Sequence, residues 1–155
     1  MKLCKIDVSR WKEYKKLRLH ALKYNPILFG SSYNDEKKLT QKNWEERLNS
    51  ILSESLFAID DDNKLIGMIA SLYSPKETQR HVAMIVSFYV LPEFRGKGIG
   101  KKLLIEILKK IKQKKQIKKI KVQAAKINSL ALNMYRKLGF REVGTLKKEV
   151  KVNNK

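Results

Sequence analysis

The sequence predicts one α/β (α+β) domain over residues 1–155, and three observations carry this. The length of 155 residues suits one domain with a sizeable core. Strand-like alternation and helix-like spacings of three and four follow one another along the chain, without an internal repeat, low-complexity block or linker. The composition is globular, with 43% hydrophobic and 32% charged residues and only seven Gly and three Pro.

Lys2–Asp7 alternates well enough for a short first strand. Ser9 stands where an N-cap belongs, and Trp11, Tyr14, Leu17, Ala21 and Tyr24 mark one face of a helix that stops before Pro26. Residues 25–39 read as irregular. Thr40 can cap a second helix through about Ser53, with Trp44, Leu48 and Ile51 or Leu52 inward. A hairpin follows: Leu56–Ile59, the turn Asp60-Asp61-Asp62-Asn63, and Lys64–Ser74. Asp and Asn suit that turn because their side chains bond nearby backbone and tolerate left-handed conformations.

The connection Pro75–Arg80 leads into the apolar strand Val82–Leu91, which Pro92 ends. Ile99, Leu103, Leu104, Ile107, Leu108 and Ile111 then form one face of a helix whose remaining surface is rich in lysine. Ile117–Ala124 reads as a strand. Asn128-Ser129 opens a short helix with Leu130, Ala131, Met134, Tyr135 and Leu138 on one face and Gly139 at its C′ position.

Several classes fall away on composition. No stretch approaches the roughly 18 apolar residues needed to span a bilayer, and the N-terminal MKLCKIDVSRWKEYKK lacks the apolar run of a secretory signal. A cytoplasmic location without membrane partners is the expectation. The single Cys4 forms no internal disulfide, and two histidines give no metal-ligand spacing, so no metal is expected. The formal charge of +20 is concentrated late: residues 1–100 hold 17 basic against 12 acidic side chains, residues 101–155 hold 18 against 3. Such a field favours anionic partners, whether nucleic acid, acidic protein or a polyphosphate-bearing cofactor. A lysine-rich solvated surface is the plainer explanation.

The segment PEFRGKGIGKKLL carries the sharpest chemical signal. Glycines at 96, 98 and 100 allow tight turning at a helix N-terminus, where unpaired N–H groups and the helix dipole favour an anion such as phosphate. Neither the Walker pattern nor G-x-G-x-x-G is satisfied, which disfavours nucleotide hydrolysis and dinucleotide binding. The pattern that does fit is R-x-x-G-x-G, formed by Arg95, Gly98 and Gly100.

With its preceding strand, this segment resembles the GNAT superfamily of N-acetyltransferases, whose members bind the pyrophosphate of acetyl-CoA with this loop. The run N-S-L-A-L-N-M-Y-R-K-L-G-F, residues 128–140, is similar to the family's second signature. The close resemblance covers Val82–Phe140, and the order of earlier elements agrees with it. It implies a mostly antiparallel mixed sheet flanked by helices, and a cofactor site comprising Ser87, Phe88, Tyr89 and Val90 on the fourth strand, the loop Arg95-Gly96-Lys97-Gly98-Ile99-Gly100, Asn128 and Tyr135. In the family the fourth and fifth strands splay apart, freeing backbone groups for the pantetheine arm, and a bulge aims an N–H at the thioester carbonyl. Residues 21–33 correspond to a region bordering the acceptor pocket.

The implied reaction is direct transfer of the acetyl group from acetyl-CoA to a primary amine. Tyr135 takes the role of catalytic acid, being protonated at neutral pH with a reference pKa near 10. Each assignment has a plainer reading: Tyr135 as core aromatic, Asn128 as helix cap, Arg95 as solvated loop charge. No base is assigned. Gln123 occupies the position where many relatives carry glutamate, and His81, His20 and Glu93 all have surface or packing explanations.

The family's seventh strand is not encoded. Phe140–Val152 can supply a sixth, with a turn beginning at Val152-Asn153-Asn154; it is expected to pair across a homodimer at the edge left beside the fifth strand, to pair with the fifth strand of its own chain, or to stay loose at the surface. Two other functions stay open: a CoA-binding protein without catalysis, and a basic nucleic-acid-binding module using the Lys101–Lys121 face. The latter lacks a recognised binding motif, so nucleic acid is disfavoured as a partner. The acceptor amine is not encoded in any motif.

Overall fold

The structure, a computed structural model, describes residues 1–152. Five strands form one sheet in the order β1 (Lys2–Cys4), β2 (Ser53–Ile59), β3 (Leu65–Tyr73), β4 (Val82–Val90) and β5 (Lys119–Val122). The first four are antiparallel neighbours, and β5 runs parallel to β4. The mixed, mostly antiparallel sheet flanked by helices is therefore borne out.

Helices α1 (Trp11–Tyr24), α2 (Tyr33–Lys37) and α3 (Gln41–Asn49) cover one face. There Tyr14 meets Trp44 and Phe57 edge-on at 5.2 and 5.3 Å, and Leu17, Ala21 and Met68 complete the layer. Helices α4 (Ile99–Lys112) and α5 (Ser129–Lys137) cover the other. Leu103, Leu104, Ile107 and Ile111 of α4 are fully enclosed against Leu56, Ile66, Ile69 and Ile85. Burying four such side chains contributes on the order of 6–12 kcal/mol of transfer free energy, which makes α4 the anchor of the loop that precedes it.

Several expectations need correction. The first strand ends at Cys4, and Asp7, not Ser9, caps the turn of 3₁₀ helix before α1, its carboxylate accepting from the Ser9 N–H at 2.8 Å. The buried stripe of α1 runs through Tyr14, Leu17, Arg18, Ala21 and Leu22, leaving Tyr24 61% exposed. The stretch read as irregular contains α2, whose start Ser32 caps by accepting from the Asp35 N–H. Thr40 does cap α3, in a reciprocal box with Asn43, but that helix stops at Asn49 because Ser53 already belongs to β2; Ile51 is 92% exposed and Leu52 also faces solvent. Leu130 lies off the narrow buried face of α5 and is exposed.

The largest departure is at the C-terminal end. Residues 140–152 form no strand, and Val143, Leu146 and Val150 are exposed. Within one chain no strand lies beside the segment to accept its backbone groups, so it stays outside the sheet. Among the described residues β5 is thus an open sheet edge. The turn expected around Asn153-Asn154 lies outside the described residues.

Candidate active site

The site is built where β4 and β5 part. Their parallel pairing runs from Val82 opposite Lys119 to Ile85 opposite Val122 and then ends. Residues 86–90 of β4 therefore have no strand on that side. On the other side, Val86 pairs with Ala70 and Tyr89 with Met68, so Ser87 and Phe88 together oppose Ile69. This two-against-one register is a β-bulge. Ser87 adopts φ 56°, a left-handed conformation that costs a non-glycine residue energy unless its surroundings impose it.

The Ser87 side chain is met from the α1 layer. Arg18 donates from Nη1 to the Ser87 Oγ at 3.3 Å. Its Nε and Nη2 donate to Glu36 at 3.1 and 2.9 Å, a bidentate pair in which both side chains are under a tenth exposed. Arg47 adds a third contact, Nη1 to Glu36 at 2.9 Å, while its guanidinium lies 4.8 Å from the Trp44 ring centre. Burial pushes the Glu36 carboxyl up, but hydrogen bonds and charge from Arg18, then Arg47, outweigh it and leave the group below its ordinary value. Glu36 is accordingly a fixed anion and not a proton acceptor.

The glycine loop sits at the end of β4. A short 3₁₀ turn over Pro92–Phe94 leads to Arg95, and Gly96 and Gly98 both take φ +75°. Gly98 is the N-cap of α4, and no side chain caps that end. The first N–H groups of α4 are consequently left for another acceptor. Gly100 has a different role: a Cβ there would come 3.3 Å from Phe88 Cζ, so its bareness lets α4 pack against the bulge. Arg95 is anchored by its Nε to the Val90 carbonyl at 2.9 Å and stacks 5.3 Å from the Tyr89 ring centre. The Val90 carbonyl is thus already engaged within the protein.

Tyr89 does not present its side chain to the opening between strands. It is buried on the α1 side, its hydroxyl bonded by His20 Nδ1 at 3.0 Å and Asn25 Nδ2 at 3.3 Å. Any part it takes in binding on the β5 side is through its backbone.

Tyr135 and Asn128 approach from α5. Tyr135 packs between Phe88 and Phe140, 6.3 and 5.7 Å between ring centres, and burial pushes its hydroxyl up to about 12. Asn128 caps α5, its Oδ1 accepting from the Ala131 N–H at 3.2 Å, which confirms the capping reading and leaves the amide nitrogen free of that bond. Both residues, with Ser87, Phe88 and Gln123, line a cleft of about 460 Å³ that continues to Arg18, Glu36 and Arg47. Leu28, Phe29, Gly30 and Ser31 lie on its rim, within the stretch that sequence resemblance set beside an acceptor pocket. His81, at the far start of β4, and Glu93 are exposed and do not line it.

The Arg18–Glu36–Arg47 cluster escaped sequence reading. One signal was present: Arg18 lies four residues from Tyr14 and from Leu22, squarely on the apolar stripe of α1. A charge at such a position implies a buried partner.

Among the described residues no group of His, Cys, Asp and Glu could hold a metal ion, and no helix is long and apolar enough to cross a membrane. The fold is shared with solved acetyltransferases. Over 100% of this chain and 93% of the other, it superposes on the ribosomal-protein-alanine N-acetyltransferase of Brucella melitensis with a TM-score of 0.83 and 20% identity. A GNAT-family acetyltransferase of Streptococcus pneumoniae matches at TM-score 0.77 and 18% identity, covering 89% of this chain and 82% of that one. A predicted acetyltransferase of Clostridium acetobutylicum, solved with acetyl-CoA, matches at 0.70 and 22%, covering 98% and 95%. In sequence, 63 residues are 38% identical to an N-alpha-acetyltransferase of Sulfurisphaera tokodaii, a match spanning 41% of this chain and 38% of that relative. Residues 15–140 match the profile of the Acetyltransferase (GNAT) family, so the chain belongs to that family.

Proposed function

We propose that the protein transfers the acetyl group of acetyl-CoA to a primary amine by direct attack. The observation that carries this is the pairing of two unsatisfied backbone surfaces: the freed edge of β4 from Val86 to Tyr89 and the uncapped N-terminus of α4. The first suits an amide-bearing arm lying alongside a strand. The second suits a pyrophosphate, with Arg95 and Lys97 adding positive charge. Acetyl-CoA brings an activated acetyl group on a thioester, and the chain's own residues orient it.

The N–H groups of the bulge at Ser87 and Phe88 are the candidates for stabilising negative charge on the acetyl oxygen. As the amine nitrogen bonds to the acetyl carbon, the carbon–sulfur bond breaks, the nitrogen loses one proton and the sulfur gains one. Tyr135 donates a hydrogen bond to that sulfur. Its hydroxyl at about 12 stands well above a thiol near 8.5, so complete transfer of its proton would be uphill by roughly 5 kcal/mol. It therefore stabilises the departing thiolate by hydrogen bonding, with solvent completing protonation. Gln123 lacks a basic site and Glu36 is held ionised by two arginines, so the amine's proton leaves through backbone carbonyls and water. Cys4 in β1 does not line the cleft and is not a nucleophile here.

The test is a thermal melt with and without acetyl-CoA, followed by thiol release against a panel of amines. A ligand-induced rise in melting temperature with turnover of at least one amine supports the reading. Stabilisation without turnover of any amine indicates a CoA-binding protein without catalysis. Salt-dependent nucleic-acid binding with no response to acetyl-CoA would replace both.

A further inference from the structure

We infer that the acceptor carries a carboxylate within a residue's reach of its reactive amine, as in a peptide with an acidic second residue, and that Arg47 is the residue that selects it. The inference rests on the acetyltransferase reading and assigns the acceptor class of the same cleft.

Charge accounting within the cleft leads to it. Among the described residues lining it, Arg18 and Arg47 are the cations and Glu36 the carboxylate. Glu36 is saturated, with three guanidinium nitrogens on its two oxygens. Arg18 is spent on Glu36 and Ser87 and is buried. Arg47 differs: one nitrogen holds Glu36, the guanidinium lies over Trp44 and beside the Tyr14 hydroxyl, and the side chain, 37% exposed, lines the cleft. Five N–H donors in a fixed fork, with Glu36 and the Tyr14 hydroxyl as its protein partners, leave donors for a planar anion. The cleft thus has a surplus of one positive charge and no unpaired carboxylate for an ammonium group.

Two consequences follow for substrates. A polycationic acceptor such as a polyamine must place its second ammonium near this surplus charge, with nothing to neutralise it. An acceptor with a carboxylate finds a guanidinium already oriented by Glu36 and Trp44, so little ordering is lost on binding. Small side chains, Ser53, Ser55 and Ala70, line the same cleft from the sheet, Ser53 donating to the Arg47 carbonyl at 3.5 Å. The net charge of the whole chain, +20, steers in the same direction.

The experiment uses three tripeptides that differ only at the second position, Ala-Glu-Ala, Ala-Gln-Ala and Ala-Lys-Ala, all amidated at the C-terminus, with spermidine as a polycation. Binding to the CoA-loaded protein is measured by calorimetry, and thiol release from acetyl-CoA is measured in parallel. The Glu peptide should bind about tenfold tighter than the Gln peptide, the usual effect of one hydrogen-bonded charge, and the Lys peptide and spermidine should bind more weakly still. R47Q should erase the Glu-over-Gln ratio, and R47K should restore part of it. Equal or tighter binding of the Lys peptide or spermidine, no binding of any peptide, or an undiminished Glu preference in R47Q overturns the inference. Calorimetry reads charge preference even if no peptide is acetylated, so failure of the acetyltransferase reading and failure of this one remain distinct.

Discussion

Replacing Glu36 by Gln removes the carboxylate that Arg18 and Arg47 share, while keeping side-chain size. The Arg18 side chain is 8% exposed, so after the substitution its charge stays desolvated without a counter-ion. Breaking a buried pair in this way typically costs about 3–5 kcal/mol. For a chain of this size each kcal/mol shifts the melting point by roughly 2–4 °C, which places the expected loss at roughly 6–20 °C. The pH dependence adds a second check. Because the folded-state pKa of Glu36 is lowered, its contribution is fully present above the unfolded value, near 4.3, and is lost as pH falls through the folded value below that. Calorimetric melts of parent and E36Q should therefore differ by a constant amount above about pH 5 and converge in stronger acid. A companion variant with Arg18→Met, Glu36→Leu and Arg47→Met removes all three charges and should recover most of the loss. If E36Q melts within about 2 °C of the parent at pH 7, well short of that range, the cluster does not hold the α1–α3 layer to the bulge.

Three further outcomes are expected. Gly98→Val should abolish the rise in melting temperature given by acetyl-CoA. A Cβ there meets nothing within 4 Å, so the effect comes from strain at φ +75° and obstruction of the loop, and a folded variant that binds normally would refute the cradle. Tyr135→Phe should lower turnover by roughly 10- to 100-fold, the loss of one hydrogen bond to a developing charge, with little change in acetyl-CoA affinity; unchanged single-turnover rates would reduce Tyr135 to a packing residue. We further propose that residues 140–152 pair with the open edge of β5 in a second copy, so sedimentation should show a dimer that deletion of residues 141–155 converts to monomer. A monomer whose stability the deletion leaves untouched would eliminate that pairing.

The glycine loop and the helix start behind it were legible in the sequence because their parts are local. Pro92, the glycines at 96 and 98 and the apolar stripe of α4 lie within some twenty residues and announce a strand, a turn and a capless helix start. The charged cluster at the other end of the cleft was not. Arg18, Glu36 and Arg47 come from three helices, and α2 holds one turn whose five residues carry no apolar period. Their meaning exists only after the layer packs, when desolvation makes each charge depend on the others. The same holds for Ser87: a serine within an apolar strand gives no sign of a bulge until the β3 register is known. The strand offered over Phe140–Val152 failed for the opposite reason, since the family's strand order suggested it and tertiary structure supplied no partner.

The division of the site along the chain also sets an order of assembly. Strands β2, β3 and β4 are successive hairpin neighbours, and α4 packs back onto them, so the bulge and the glycine loop can form from contiguous sequence with little loop-closure entropy. The parallel pairing of β5 comprises four register pairs and must wait for the whole of α4 to cross the sheet. During synthesis from the N-terminus, the glycine loop and the uncapped start of α4 can therefore be in place before α5 brings Tyr135 to the cleft. On the proposed reading, a nascent chain reaching the end of α4 would hold the pyrophosphate cradle before it holds the hydroxyl proposed to assist the leaving sulfur.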